Sequence, residues 1–166
     1  MRPTRFRSAF SLVELVIVVV IIGMIAAIAV PRISRGAKGA ADSSVRMSLT
    51  SLRNAIDMFT AEHGGLFPGA DGLEATLIDQ LTKKTDIAGT VGSTAGVHIY
   101  GPYLRGGIPP LPVGPNAGAR GVEMVNTGPA SDEAKTTKGW VYNYTSGDVI
   151  ANSDDEDEQK VKYDTY

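Results

Sequence analysis

From Leu12 to Val30 the chain is apolar except for Glu14. A single membrane-crossing helix needs about 20 such residues at about 1.5 Å rise each, so the run is long enough for one. Past Pro31 the pattern changes. Val45, Leu49, Leu52, Ile56 and Phe59 recur at alternating spacings of four and three, which puts them on one stripe of an amphipathic helix. Arg46, Arg53, Asp57 and Glu62 fall off the stripe, and His63-Gly64-Gly65 ends it with glycines suited to a left-handed C-cap. Gly23 and Pro31 are the weak points of the long helix: Pro31 removes a backbone bond and crowds the Ala27 carbonyl, predicting a kink.

The second half is punctuated by glycine and proline. Leu73, Leu77, Ile78 and Leu81 share a face, predicting a short helix from Gly72 to Leu81 with Asp71 as N-cap and Glu74 three residues on. The stretch Thr82 to Ala119 reads as loop with one strand near Val97 to Tyr100. Three strands are expected at Val122–Asn126, Trp140–Tyr144 and Asp148–Ala151. Trp140, Tyr142 and Tyr144 alternate and should line one sheet face. Ser146-Gly147-Asp148 supplies a turn, so the last two strands read as an antiparallel hairpin. The expected class is α+β: a long N-terminal helix, transmembrane in its lower half, packed on a small antiparallel sheet. The segments are a basic leader at 1–9, an apolar helix at 10–31, an amphipathic helix at 32–63, and a head at 64–166 ending in an acidic stretch.

Composition narrows the function. With 166 residues, the chain holds about one domain beyond its apolar segment. The net charge is −2, and no basic stripe carries interleaved aromatics, so nucleic-acid binding is not expected. The absence of cysteine excludes disulfides, thiol nucleophiles and Cys-rich zinc sites. No nucleophile elbow, phosphate loop or paired histidine motif is present, and His63 and His98 read as loop or surface residues, so no enzyme is expected. Asn143-Tyr144-Thr145 fits a glycosylation sequon, but lies in an expected strand.

Arg2, Arg5 and Arg7 ahead of the apolar run place the N-terminus in the cytoplasm and the head outside. A secretory signal cut after Ala27-Ile28-Ala29 competes with a retained helix. Glu14, the length of the run, and the helical pattern resuming beyond Pro31 all argue for retention.

Ser8-Ala9-Phe10-Ser11-Leu12-Val13-Glu14-Leu15 resembles the cleavage and methylation motif of type IV prepilins. The resemblance implies cleavage between Ala9 and Phe10 by a prepilin peptidase, N-methylation of Phe10, and Glu14 as the assembly residue, fifth in the mature chain. It also implies loosening of the helix between Gly23 and Pro31 in the filament. At Ala9 the chain differs from the family, which usually has glycine there. Three pieces of the head are similar to the major pseudopilin of type II secretion: Gly65-Leu66-Phe67-Pro68 with Gly72-Leu73-Glu74-Ala75, Gly101-Pro102-Tyr103-Leu104, and Gly139-Trp140-Val141-Tyr142-Asn143-Tyr144. Where that family commonly has Asp-Pro-Trp-Gly, this chain has Leu111-Pro112-Val113-Gly114.

Such a protein would be an inner-membrane, single-pass subunit with a periplasmic head. It would assemble with copies of itself into a helical filament, with an inner-membrane assembly platform and minor pilins as further partners. A pseudopilus acting in protein export, a type IV pilus serving adhesion, motility or DNA uptake, and a membrane-tethered binding module are the alternatives. The acidic run Asp154-Asp155-Glu156-Asp157-Glu158 has two readings: a solvated, flexible tail, or a calcium clip using Asp154, Asp155 and Asp157, as the resemblance to pseudopilins implies.

The charge on Glu14 has a physical rationale. A carboxylate in a bilayer is rare and usually functional. Cleavage before Phe10 would create an α-amine that is mostly cationic at neutral pH. A contact between the two at about 4 Å contributes about 4 kcal/mol at an effective dielectric of about 20, against about 2.5–3.5 kcal/mol for inserting a charge.

Overall fold

The computed structural model describes residues 10–132 and 135–166, without the side chains of Pro31, Ser34 and Arg35. Two compact units result, the first ending at Lys38 and the second covering Gly39–Tyr166. The first consists of the opening part of helix α1 (Leu12–Glu62), and the second holds the rest of α1 with α2 (Glu74–Thr82), strands β1 (Val122–Val125), β2 (Trp140–Asn143) and β3 (Val149–Ala151), and a final 3-10 turn at Tyr163–Thr165. Helical backbone continues through Gly23 and Pro31, so neither residue ends α1 in the isolated subunit. The α+β class holds.

The stripe predicted on α1 is the spine of the head. Val45, Leu49, Leu52, Ile56 and Phe59 are all buried, in one cluster with Leu77 and Leu81 of α2 and Trp140 and Tyr142 of β2. Truncating one such leucine to alanine typically costs about 2–5 kcal/mol, so this stripe carries much of the head's stability. Trp140 also donates its indole N–H to the Pro109 carbonyl at 2.8 Å, which ties the irregular 83–119 segment to the sheet. At Gly139, just before β2, a Cβ would lie 2.4 Å from the Ala119 carbonyl oxygen, so only glycine lets the two segments approach.

The end of α1 follows the glycine signal. Gly64 and Gly65 both take left-handed φ, and the Gly65 N–H returns to the Thr60 carbonyl at 2.8 Å in a Schellman arrangement. His63 stands in the turn after α1, as expected of a loop residue, but it is buried rather than at the surface. Its ring stacks on Phe59 with centroids 3.8 Å apart. Its Nδ1–H donates to the Phe59 carbonyl at 2.7 Å, and its Nε2 faces the buried Thr85 hydroxyl at 3.0 Å. His63 therefore anchors the segment after α2 to the last turn of α1. His98 lies in the Thr94–His98 turn, where its Nδ1 accepts the Thr94 N–H at 3.1 Å.

Three further expectations change. The sheet is mixed: β1 and β2 are parallel with Val122 opposite Trp140, whereas β2 and β3 form the expected antiparallel hairpin with Trp140 opposite Ala151. Parallel pairing needs a connection of about a dozen residues or more, and the stretch from Asn126 to Gly139 provides one. The strand near Val97 is not formed. Val97 and His98 fold back in a turn on the Thr94 carbonyl, and Tyr100 makes only an isolated bridge with Thr85.

The third change concerns α2, which begins at Glu74, and Asp71 does not cap it. Asp71 instead closes a local turn with the Leu73 N–H and Thr76 hydroxyl. Glu74 is thereby released from the capping box predicted for it. Its carboxylate accepts the Val122 N–H at 2.8 Å and pairs with Lys138, joining α2 to the first residue of β1 and to the approach to β2.

Burial alone would raise the Glu74 carboxyl, but the hydrogen bonds from Lys138 and Val122 outweigh it and hold the group below the ordinary glutamate range. A depressed carboxyl contributes stability that is complete above its unfolded value and is lost as pH falls through its folded value. Glu74→Ala is expected to cost about 1–2 kcal/mol in urea unfolding at neutral pH, and the gap from wild type should close in acid. A gap of the same size at all pH values would assign the loss to packing instead.

Candidate functional site

The N-terminal site is built by the way α1 begins. The Ser11 carbonyl accepts the first helical bond, from the Leu15 N–H at 3.2 Å, which makes Ser11 the N-cap. Its hydroxyl accepts the Val13 N–H at 3.3 Å, and Glu14 reaches back to accept the Ser11 N–H at 3.1 Å. This is a capping box in which serine and glutamate each satisfy an end amide. The Ser-x-x-Glu spacing was visible in the chain, yet Ser11 was not singled out from sequence. Glu14 near the helix N-terminus also gains from the helix dipole.

Phe10 lies just outside this box and is 79 % exposed. Ala9, the other side of the expected cleaved bond, lies outside the described residues, as do the leader arginines. From Leu12 to Val30 the helix is apolar, with none of that span buried inside the protein. Gly23 has open space where a Cβ would stand. A helix with apolar side chains on every face needs lipid or other helices around it, and small positions such as Gly23 allow close helix approach.

The second candidate site, the acidic run, is ordered against α1 and is not a free tail. Ser153 and Asp157 are buried, while Asp154, Asp155, Glu156 and Glu158 are exposed. Asp157 Oδ1 accepts the Gln159 and Val161 N–H groups at 2.7 and 2.9 Å; Oδ2 faces Arg46 at 3.1 Å and the Tyr166 hydroxyl at 2.5 Å. The Tyr166 hydroxyl, backbone amides and Arg46 together hold the Asp157 carboxyl below its ordinary range against the opposing effect of burial.

Arg46 also stacks on the Tyr166 ring at 4.1 Å, and Arg53 donates to the carbonyls of Val149 and Tyr166. On the same side of the segment, buried Asp42 accepts the Tyr163 hydroxyl and the Glu158 N–H. Asp154 makes interactions of its own. Asp155 contributes its carbonyl to the Tyr163 N–H at 3.0 Å. One oxygen of Asp164 is buried without a hydrogen-bond partner. Among the described residues, no three histidine or carboxylate side chains converge as a metal site would require. The sequon is likewise engaged: Asn143 is buried, and its amide donates to the Thr127 carbonyl at 2.8 Å.

An apolar helix long enough to cross a membrane, opened by a serine–glutamate capping box and followed by a small α+β head, suits a membrane-anchored subunit. Residues 4–30 match the prokaryotic N-terminal methylation motif, and the chain is type IV pilin-like. That motif implies processing by prepilin peptidase and assembly into filaments. No curated protein and no solved structure matches the chain.

Removing a capping hydroxyl costs about 0.5–2 kcal/mol. Ser11→Ala is therefore expected to speed amide exchange at Val13 about fivefold for a cost of about 1 kcal/mol, read by NMR in detergent micelles. Exchange at wild-type rate would mean that the box does not hold the helix start.

Proposed function

We propose that the chain is the filament-forming structural subunit of a type II secretion pseudopilus, acting in protein export across the outer membrane. The observation that carries the filament reading is Glu14, placed fifth after the Ala9–Phe10 bond at the start of an apolar helix long enough to cross a membrane. The pseudopilus branch rests on the three head segments similar to major pseudopilins. The Trp140-Val141-Tyr142-Asn143 segment among them forms the central strand, buried on both faces.

In the uncut chain Glu14 already holds one partner, the neutral Ser11 amide. Cleavage before Phe10 would add a cationic amine one residue upstream of that amide. A carboxylate in a low-dielectric setting favours a charged partner over a neutral one, since charge-assisted hydrogen bonds are about twice as strong. Processing would thus change what Glu14 can bind. The amine of a neighbouring subunit, delivered as helices pack side by side, would complete the pair and neutralise both charges within the filament.

A type IV pilus subunit is the second reading. It is favoured by Leu111-Pro112-Val113-Gly114, which stands where pseudopilins commonly have Asp-Pro-Trp-Gly. Leu111 is fully buried here, so the segment serves the core.

Mass spectrometry of the mature chain should find an N-terminal methylated Phe10. An intact Met1 or a cut after Ala29 would favour a tethered module. Glu14→Leu should insert in the membrane as wild type does but form no filaments; normal filaments from that variant would remove the charge-pairing account. Deleting the subunit should block release of exported proteins from the periplasm while leaving surface pili intact. The opposite pattern would select the pilus reading.

A further inference from the structure

Asp157 is the buried member of an otherwise exposed acidic run, and its carboxylate is fully engaged. An ionised carboxylate offers about four acceptor directions. In Asp157 two go to the amides of Gln159 and Val161, one to the Tyr166 hydroxyl and one to Arg46. Asp42, the other buried carboxylate against this turn, is taken up by the Tyr163 hydroxyl and the Glu158 amide.

We propose that Arg46 is the cation of this turn: its guanidinium, fixed on α1, closes the 153–166 segment onto the helix in place of a bound divalent metal. Calcium takes about 6–8 oxygens at about 2.3–2.6 Å. To reach Asp157 it would have to displace at least one of the hydroxyl, the two amides and the guanidinium, and would sit as a double charge close to the cationic Arg46. The exposed carboxylates do not gather into an alternative cage among the described residues. The unpartnered oxygen of Asp164 belongs to no cluster of three ligating side chains among the described residues.

Arg46 suits the part for two reasons. A guanidinium cannot lose its charge, and its flat face rests on the Tyr166 ring while its edge meets Asp157. At Asp157 the closure therefore joins Arg46 of α1 to two residues of the C-terminal segment, Asp157 and Tyr166. Tyr166 is itself held a second time by Arg53, two helical turns along α1.

The test uses the full chain in non-ionic detergent micelles, with the fluorescence of core residue Trp140 reporting the melt. The wild-type Tm should be the same in excess EGTA and in millimolar calcium chloride. Arg46→Gln should lower Tm by about 4–8 °C, Arg46→Lys should recover part of the loss, and calcium should rescue neither. Trypsin should cut Arg46→Gln faster at Lys160 and Lys162, as the segment lifts away. A wild-type Tm that rises with calcium and falls with EGTA would overturn the proposal, as would an Arg46→Gln melt identical to wild type. Should Arg46→Gln fail to fold, the wild-type comparison in EGTA and calcium and the Arg46→Lys melt decide the question.

Discussion

Covering α1 is the constraint on which everything else in this chain depends, and it is met in two different ways along one helix. Between Val45 and Phe59 the apolar stripe is about one face wide, and the protein supplies its own cover in α2, β2 and the 104–111 loop. Between Leu12 and Val30 the helix is apolar on all sides apart from Glu14, and none of that span is buried among the described residues. The first arrangement makes a head that folds around the helix. The second leaves a surface whose only stable surroundings are hydrocarbon or other helices.

Once the helix is uncovered, Glu14 becomes the costly residue, and the capping box shows how the cost is contained. A carboxylate at the third helical position accepts the Ser11 amide and meets the positive end of the dipole, so the same side chain serves helix initiation and, in the proposed filament, would carry the charge that a neighbour reads. The Ser11 amide takes one oxygen of that carboxylate, which leaves acceptor directions for a second partner. A neighbour's amine would be held strongly only where water is excluded and charge attraction is strong. On the proposed reading, pairing would be restricted to subunits whose helices pack side by side, which is the condition for a filament.

Legibility from sequence tracked how local the deciding physics was. The α1 stripe, the Gly64-Gly65 stop and the β2–β3 hairpin are set by spacing and turn chemistry within a few residues, and all three stand in the structure. The parallel pairing of β1 with β2 was hidden because it depends on a long crossover. The stretch 83–119 was legible as loop, but its anchoring was hidden because the anchors are remote: His63 on Thr85, and Trp140 on Pro109. Glu74 was misassigned for a similar reason. Its position suited a local capping box, but a backbone amide 48 residues away made the better partner. Ser11 could have been found, since Ser-x-x-Glu before an apolar run is a written signal of a helix start.

The acidic run shows why charge density alone misleads. Asp154, Asp155, Glu156, Asp157 and Glu158 look equivalent in sequence, but only Asp157 is buried within the run. A buried carboxylate must be answered by positive charge and donors, since an uncompensated one would be strongly destabilising. The answering groups, Arg46 and Tyr166, lie 111 and 9 residues away and are unremarkable in sequence. In a chain without cysteine, where no disulfide can tie the segment down, the side chains that hold it must come from the helix it covers. Arg46 and Arg53 stand off the apolar stripe at positions expected to face solvent only. Placed along the border of that stripe, they do the holding, so the polar edge of α1 fastens the segment that its apolar face cannot reach.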